Sequence, residues 1–354
     1  MSQGLEGVVA AETAISMVDG ERGELIIRGY PVEELAPNAT FEQTVEILGV
    51  AEFLSADREL APIAYEVLRA AAKRNDDSMD ALRAAAGVGG APLTTFPTIV
   101  AAYWRMLHDR DPIAPRTDLG HAANYLYMLD GQAPAVERVR ALETYLNTVV
   151  DHGLNASTFT ARVITSTGSD LVSAVVGAVG ALKGPLHGGA PGPALDMVFE
   201  IGDASRAEEV LRRKIEAGER LMGFGHRVYK VRDPRADVLA AASERLLGNT
   251  PLYALARAVE KTAIRLLEEY KPGRRLQTNV EFYTALLLHG LGLETPLFTP
   301  TFAISRVAGW IAHCLEQKKT GRLIRPQSVY VGPRGLKWTP LTLPLSPQAR
   351  RGNS

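Results

Sequence analysis

The 354-residue sequence contains one cysteine, Cys314, which excludes an internal disulfide and a thiolate metal cluster. A single cysteine fits a reducing compartment, and we expect a cytoplasmic protein. Neither sign of charge dominates, since 39 Lys and Arg residues stand against 40 Asp and Glu residues. A balanced charge gives no general attraction to nucleic acid or to a membrane surface, so we expect neither partner. Local groups of charge must therefore identify any ligand.

The sequence also lacks a long uninterrupted apolar run. Residues 84 to 104 carry no charge, but three glycines and two prolines divide them, and a membrane-spanning helix would tolerate this poorly. The first 14 residues contain acidic residues, no basic residue and no long apolar core. We therefore predict neither a transmembrane segment nor a signal peptide.

Apolar residues recur at helical spacing through most of the chain, and 46% hydrophobic content is enough for a sizeable core. This period predicts helices over residues 41–53, 62–73, 135–150, 157–166, 170–182, 205–221, 234–247, 252–270, 280–289 and 301–318. Near the N-terminus, AISMVDGERGELIIRGY has β-branched residues on both sides of two turn dipeptides, which predicts a β-hairpin. We predict an all-α fold with this small hairpin. The last 15 or so residues, which contain arginines but no acidic residue, are expected to form a loosely ordered tail.

The stretch GFGHRVYKVRDPR, residues 223 to 235, places His226 and several cations around two glycines. Asp233 and Pro234 predict the start of a helix, which puts Arg235 in its first turn. Arg235 and the free N–H groups of that turn would bind an anion such as a carboxylate or a phosphate. The alternatives are a solvated arginine and, for His226, a buried structural histidine.

Two more histidines lie where helices are expected to end. His187 stands in GPLHGGAPG, whose glycines allow a ligand to approach the backbone closely. His152 stands in DHGLNASTF, between two predicted helices. An incidental histidine in a turn and a favourable helix C-terminal cap remain equally good interpretations of these two residues.

A carboxylate and two arginines complete the set of candidates. Asn279 is a plausible helix cap that puts Glu281 in a first turn, where the helix dipole favours its ionised form. Glu281 could act as a base, although dipole compensation alone would explain it. Arg306 is the only formal charge in an apolar segment, and burying an unpaired ion costs several kcal/mol, so we predict an anionic partner, either an internal acid or a ligand. Arg325 is a further candidate, with exposure to solvent as its alternative.

The sequence has no metal-ligand spacing among its seven histidines, no Walker loop and no Gly-x-Ser-x-Gly motif. We predict neither a metal nor a cofactor. Histidines, one positioned carboxylate and several arginines suit an enzyme that acts on a small polyanionic acid by proton transfer and oxyanion stabilisation.

Six segments, in this order, resemble the citrate synthase family: HGLNASTF, GPLHGGAPG, GFGHRVYKVRDPRA, NVEFYT, FTPTFAISRVAGWIAH and RLIRPQSVYVG. A weaker similarity extends over residues 4 to 35. The resemblance implies a helical homodimer that condenses acetyl-CoA with oxaloacetate. It also implies a large domain, residues 1–188 and 293–354, and a small domain, residues 189–292, that closes over the substrates.

The same resemblance implies a role for each candidate residue. His187 would hydrogen-bond the thioester oxygen of acetyl-CoA while Glu281 removes the methyl proton, and His226 would polarise the keto group of oxaloacetate. The oxaloacetate oxygens would be held by His152, Arg235, Arg306 and Arg325, the last from the other subunit. The coenzyme A side would be bordered by Gly223, Phe224, Gly225 and Lys230, with Lys230 near a phosphate. Acetyl-CoA would be a substrate, and no cofactor is implied.

Glu281 departs from the family pattern, in which Asp is usual at this position. The longer side chain changes the reach of the base, and an error on the order of 1 Å can cost about a hundredfold in rate. The sequence does not separate citrate synthase from 2-methylcitrate synthase, which uses propionyl-CoA with the same residues. A non-catalytic paralogue that binds oxaloacetate or acyl-CoA is a third, less favoured alternative.

Overall fold

The computed structural model describes residues 4, 5, 7–188, 191–226 and 228–336, and the regular secondary structure in this part of the chain is almost entirely helical. Its fifteen α-helices are α1 Val32–Asn38, α2 Phe41–Leu48, α3 Pro62–Lys73, α4 Ser78–Ala86, α5 Pro92–Leu107, α6 His121–Asp130, α7 Val136–Val149, α8 Ala156–Ser166, α9 Leu171–Leu182, α10 Pro191–Ile201, α11 Ala207–Glu216, α12 Pro234–Leu247, α13 Pro251–Tyr270, α14 Val280–Gly290 and α15 Phe298–Thr320. The predicted all-α fold is confirmed. The predicted C-terminal tail lies outside the described residues.

The predicted N-terminal hairpin is present and gains a short third strand. Strand β1, Ser16–Asp19, pairs antiparallel with β2, Glu24–Ile27, and β2 pairs with β3, Tyr30–Pro31. Leu25 and Ile27 alternate with outward-facing residues and are buried, as is Ile15 before the first strand. Alternation at a period of two therefore attaches one face of this small sheet to the helical core.

Five helices, α1, α4, α5, α6 and α10, were not predicted from the sequence. The longest of them, α5, is buried at every position from Pro92 to Trp104. A helix that is apolar on all sides shows no stripe of helical period, and Pro97 lies inside it. Periodicity therefore could not detect this helix.

Two predicted helices end earlier than expected. Helix α2 stops at Leu48 because Gly49 adopts a left-handed conformation, with φ of 77°. Helix α11 stops at Glu216, shortly before Gly218, where φ is 78°. A residue in this conformation ends an α-helix, and glycine adopts it without a steric penalty.

Helix α15 is the central element of the core and packs against α5, α7, α8 and α9. Its residues Ile304, Val307, Trp310 and Ile311 are all fully buried. Helix α12 packs against both α7 and α14. The segments that begin α8, α12 and α14 and the segment that follows α9 carry the candidate site residues, and Arg306 lies on α15.

The chain divides at Leu323 into two compact units. In the described part of the second unit, the Tyr330 hydroxyl donates to the Pro333 carbonyl at 2.7 Å. The predicted small domain, residues 189–292, lies within the first unit and remains a prediction. No helix among the described residues has both the length and the apolar character needed to cross a lipid bilayer.

Candidate active site

The segment that contains His226 is clamped to the segment that contains Glu281. The Gly225 N–H donates to the Gln277 carbonyl at 2.7 Å, and the Asn279 N–H donates to the Gly223 carbonyl at 3.0 Å. The Asn279 side-chain amide also donates to the Gly225 carbonyl at 2.8 Å. A Cβ atom on Gly223 would lie 2.9 Å from the Cβ of Phe282, and its φ is 86°. Glycine at this position therefore permits both the close approach and the backbone conformation.

Arg235 occupies the first turn of α12, as predicted, but its own chain supplies the nearest anion. Asp233 caps the helix by accepting from the Arg235 N–H, and its two carboxylate oxygens also accept from the Arg235 guanidinium at 3.0 and 2.9 Å. The Ala236 N–H donates to the Asp233 carbonyl, and Pro234 has no N–H. The prediction that this turn offers free N–H groups to an anion is therefore wrong for its first three residues.

The guanidinium of Arg235 remains available on the side that faces His226. Burial would lower the pKa of Arg235, but Asp233 more than offsets this and holds the pKa above its ordinary value. Its Nη2 lies 3.3 Å from Nε2 of His226. Arg235 thus keeps its charge inside the protein.

His226 is held with a defined proton position. Its Nδ1 accepts from the backbone N–H groups of Val228, at 3.0 Å, and Tyr229, at 3.1 Å. Burial, and then the charge of Arg235, lower the pKa of His226 to about 4, so the ring is neutral at pH 7. The single ring proton must then lie on Nε2. Nε2–H and the Arg235 guanidinium are both donors. An oxygen atom of a ligand within hydrogen-bonding distance of both nitrogens would accept from both.

His152 joins this group from the segment between α7 and α8. Its Nε2 lies 3.1 Å from the hydroxyl of Tyr229, and its ring lies 5.9 Å from the ring of His226. Burial lowers the pKa of His152 well below its ordinary value, and the charges of Arg235 and Arg306 lower it further. The structure therefore brings His152, His226 and both arginines into one electrostatically coupled cluster. Tyr229, which links two of its histidines, has no motif of its own that could have identified it.

Arg306 is only 1% exposed, and its charge is poorly compensated. Its Nε donates to the Val149 carbonyl at 2.7 Å, and its guanidinium carbon lies 4.6 Å from the centre of the Phe302 ring. Among the described residues no carboxylate forms a salt bridge with it. Burial lowers its pKa to about 10, and Asp151 opposes this from a longer distance. The predicted anionic partner is therefore only partly supplied by the protein, since Asp151 is itself paired with His313 at 3.3 Å.

His187 lies next to a serine that was not predicted to have a role. The Ser157 hydroxyl donates to Oδ1 of Asn155 at 2.8 Å, accepts from the Trp310 indole N–H at 3.1 Å and lies 2.8 Å from Nε2 of His187. Burial, and then Arg306, lower the pKa of His187 to about 4. The hydroxyl has a single proton, so the ring proton of His187 lies on Nδ1, as a donor for a ligand, only when the hydroxyl turns its proton from Asn155 to Nε2.

Glu281 lies in the first turn of α14 as predicted, and Oδ1 of Asn279 caps the helix by accepting from the Glu281 backbone N–H at 3.0 Å. Burial raises the pKa of this carboxyl to about 7, although Arg235 opposes the increase. The expectation that the helix dipole would favour the ionised form is therefore wrong in its net effect, since desolvation outweighs the dipole. The result is a carboxyl group that exchanges its proton near neutral pH and is a stronger base than an exposed carboxylate.

Two of the four predicted coenzyme A residues line a concavity of about 470 Å³. Gly225 and Lys230 contribute to its lining together with Arg274 and Arg275, which the sequence analysis did not single out. The Phe224 ring packs 5.3 Å from a second phenylalanine ring in α14. The only sequence signal for the two additional arginines was their position in the basic turn KPGRR.

A buried carboxylate outside all six motifs joins the segment before α12 to the segment that begins α14. Glu260 of α13 accepts from Arg232 at 3.2 Å and Thr278 at 2.7 Å on one oxygen, and from Arg257 at 2.6 Å and Tyr283 at 2.5 Å on the other. Its side chain is 6% exposed. Four donors satisfy both oxygens, which fixes the loop before α12 against the start of α14.

Arg325 lies in the second compact unit and is exposed to solvent. Its predicted reach into a partner's active site remains a prediction.

The described residues contain no group of three or more His, Cys, Asp or Glu side chains that could hold a metal ion. The expectation of a metal-independent reaction is not tested by this result.

Comparison with known proteins agrees with the motifs. A family model described as citrate synthase, C-terminal domain, matches residues 4–327. The chain belongs to the citrate synthase family. Citrate synthase 2 of Bacillus subtilis is 39% identical, over 96% of this chain and 98% of its own length. The 2-methylcitrate synthase of Mycobacterium tuberculosis is 38% identical, over 94% of this chain and 91% of its own length. The family therefore includes relatives of both names at nearly equal identity.

Solved structures of citrate synthases share the fold. The enzyme from Pyrobaculum aerophilum is 38% identical and superimposes with a TM-score of 0.87, covering 96% of this chain and 94% of its own. The enzyme from Thermoplasma acidophilum, solved as a ternary complex with carboxymethyl coenzyme A and oxaloacetate, is 29% identical. It also has a TM-score of 0.87, covering 96% of this chain and 98% of its own. The all-α architecture is thus that of the citrate synthase fold.

Proposed function

We propose that this chain is a citrate synthase, which condenses acetyl-CoA with oxaloacetate and water to give citrate and coenzyme A. The observation that carries the proposal is the site's acid-base arrangement. A neutral His226 and a charged Arg235 present two donors to one point, and Glu281, with a pKa of about 7, lies within electrostatic reach of Arg235. A site that only bound an anion would have no use for a base beside its cations.

The first step would remove a proton from the methyl group of acetyl-CoA. Its α-proton is far less acidic than any protein group at neutral pH, so Glu281 can remove it only if the developing enolate oxygen is stabilised. His187 would supply that stabilisation by donating from Nδ1, with the Ser157 hydroxyl turned from Asn155 to donate to Nε2. A neutral imidazole is suited to this role because it donates a hydrogen bond without adding a third full positive charge beside the two arginines.

The second step would join the two substrates. The enolate carbon attacks the keto carbon of oxaloacetate and forms the new C–C bond, and the keto oxygen takes the Nε2 proton of His226, which solvent restores. The Nε2–H group of His226 and the Arg235 guanidinium would stabilise that oxygen, while His152 and Arg306 would hold the carboxylates. Water then hydrolyses the citryl thioester, which releases citrate and coenzyme A. Arg306 fits its role because its charge is only partly compensated within the protein.

We also propose the remaining features implied by the family. Gly223, Phe224, Gly225 and Lys230 would border coenzyme A, with the neighbouring Arg274 and Arg275 adding positive charge for its phosphates. The ternary complex of the Thermoplasma relative supports these two substrate classes. Residues 189–292 would close over the substrates and exclude water.

A homodimer in which Arg325 reaches the partner's site is part of the same proposal. The reaction would need no metal or cofactor, and a cytoplasmic location remains a prediction.

A specific observation keeps 2-methylcitrate synthase as the second candidate. The 2-methylcitrate synthase of Mycobacterium tuberculosis is 38% identical to this chain, and citrate synthase 2 of Bacillus subtilis is 39% identical. The two reactions differ by one methyl group on the acyl donor, which a pocket discriminates by only about 1–3 kcal/mol. Glu281 is one methylene longer than the usual Asp, so it changes the room available for the acyl group beside the proposed base.

The proposal is tested by thiol release from acetyl-CoA and, separately, from propionyl-CoA, with and without oxaloacetate. We expect faster oxaloacetate-dependent release from acetyl-CoA, whereas faster release from propionyl-CoA would move the assignment to 2-methylcitrate synthase. The Glu281→Gln variant keeps the side-chain shape and removes the base, so it should lose turnover and still bind oxaloacetate in calorimetry. Absence of release from either donor by the unmodified protein would instead support a binding paralogue.

A further inference from the structure

The N-terminal hairpin contacts the segment that carries His152. The Ser16 hydroxyl in β1 donates to the carboxylate of Asp151 and accepts from the Gly153 N–H at 3.0 Å. These two partners are the residues on either side of His152. Ser16 therefore fixes the backbone from which His152 extends.

The other end of the hairpin contacts the loop between His226 and Arg235. The Gly20 carbonyl accepts from the Lys230 N–H at 2.8 Å. A Cβ atom on Gly20 would lie 2.2 Å from the Val228 carbonyl oxygen, and one on Gly23 would lie 2.7 Å from a methyl group of Val231. The turn and the loop thus meet backbone to backbone, with no room for a side chain at Gly20.

The backbone conformation of Gly20 does not itself require glycine, because its φ lies outside the left-handed region. Only the neighbouring Val228 carbonyl excludes a side chain. This separates Gly20 from glycines such as Gly23, with φ of 71°, at which any substitution would also strain the backbone. The contact with the catalytic loop can therefore be tested at Gly20 alone.

We propose that the N-terminal hairpin is a positioning element of the active site. It joins the His152 segment to the His226–Arg235 loop, with Ser16 and Gly20 as the contact residues. This inference rests on the proposed function for its catalytic consequence. Ile15, Leu25 and Ile27 are buried, so the hairpin is anchored in the core and can hold both segments at a fixed separation.

The oxaloacetate side of the reaction should respond first to a change in the hairpin. In the proposed function, His152 approaches oxaloacetate from the segment before α8, and His226 and Arg235 approach it from the loop before α12. The hairpin contacts both of these segments. A misplacement of about 1 Å can cost about a hundredfold in rate. Because His187 lies in neither segment, its alignment with the thioester should change less.

The test compares Gly20→Ala with Gly87→Ala. Gly87 is exposed and has φ of −70°, and a Cβ atom added to it would lie 3.7 Å from its nearest neighbour, so it is a matched control. We expect Gly20→Ala to raise KM for oxaloacetate and lower kcat, with at least a tenfold loss of kcat/KM for oxaloacetate and a smaller change in KM for acetyl-CoA. Gly87→Ala should keep the values of the unmodified protein.

Ser16→Ala adds no atoms and provides a second variant if Gly20→Ala fails to fold. It should raise KM for oxaloacetate several-fold at a temperature well below its unfolding transition, where the variant is fully folded. Values within twofold of the unmodified protein in every foldable variant would overturn the inference and leave the proposed function intact.

A separate measurement distinguishes failure of the inference from failure of the proposed function. If the unmodified protein shows no oxaloacetate-dependent turnover, the proposed function fails, and hydrogen exchange at the Lys230 amide then decides the inference. Exchange should be slow in the unmodified protein and faster in Gly20→Ala, and equal rates would overturn the inference.

Discussion

The pKa of Glu281 makes a quantitative prediction about the pH dependence of the reaction. With a pKa of about 7, the carboxyl is about half ionised at pH 7 and about one-tenth ionised at pH 6. If it is the base, kcat/KM for acetyl-CoA should fall about tenfold per pH unit below pH 6.5 and level off above about pH 8. His187 and His226, each with a pKa of about 4, do not titrate between pH 5.5 and 8. The change in that range therefore reports Glu281.

The same pKa shift predicts how the free energy of unfolding changes with pH. The sign of this change is opposite to that expected for an ordinary ion-paired carboxylate. A carboxyl whose pKa rises from 4.5 to about 7 on folding binds its proton more tightly in the folded state, so stability falls as pH rises through that window. Each pKa unit corresponds to about 1.4 kcal/mol, so the shift amounts to roughly 3 kcal/mol. Glu281→Gln removes this effect and should gain stability relative to the unmodified protein, by roughly 2–3 kcal/mol more at pH 8 than at pH 5.

Two assays check these values. Thiol release at saturating oxaloacetate gives the pH profile, and urea unfolding of both proteins at pH 5 and pH 8 gives the stability difference. The histidines contribute a pH dependence of the opposite sign between pH 6.5 and 4, but it is common to both proteins and cancels in the difference. A profile that is flat from pH 5.5 to 8, with stability curves that run parallel, would refute the argument that burial raises this pKa.

Three further substitutions test other parts of the site. Arg306→Leu should weaken oxaloacetate binding at least tenfold in calorimetry, and unchanged affinity would make it a structural residue. Ser157→Ala removes the hydroxyl that can hold the His187 ring proton on Nδ1, and it should lower kcat about tenfold with little change in either KM. A normal kcat would contradict control of the His187 tautomer by this hydroxyl. Glu260→Gln leaves two arginines without their buried carboxylate and should lower the unfolding free energy in urea by about 3 kcal/mol. Its control, Glu269→Gln in an exposed ion pair, should change the unfolding free energy much less, because solvent screens exposed charges, and equal losses would remove the special role of Glu260.

The features best predicted from the sequence are those that depend on residues close to one another along the chain. Asp233 and Asn279 cap α12 and α14 as expected, because capping is a contact between residues two or three apart. The hairpin was equally accessible, since its turn and its alternating strands lie within a few residues of one another. Helix α5 was not predicted because burial on all sides removes the periodic contrast on which such a prediction depends.

The contacts that organise the site are far apart in the sequence and could not be predicted from it. Ser157 meets His187 across 30 residues, Tyr229 meets His152 across 77, and Gly20 meets the loop at Lys230 across 210. None of these pairs has a spacing that local patterns encode. The family resemblance singled out His152, His226, Arg235 and Arg306, which the structure brings together, but the partners that fix their orientation required the structure.

Burial is one physical cause that prepares both partners of the proposed acid-base chemistry. Desolvation disfavours the charged form of any group, so it lowers the pKa of an imidazole and raises that of a carboxyl. In this site the pKa of His187 and of His226 falls to about 4, and that of Glu281 rises to about 7. The histidines are therefore neutral donors beside two arginines, where a protonated ring would add repulsion. The carboxyl, through the same burial, becomes a base that titrates at neutral pH, and this balance depends on the site remaining closed to water.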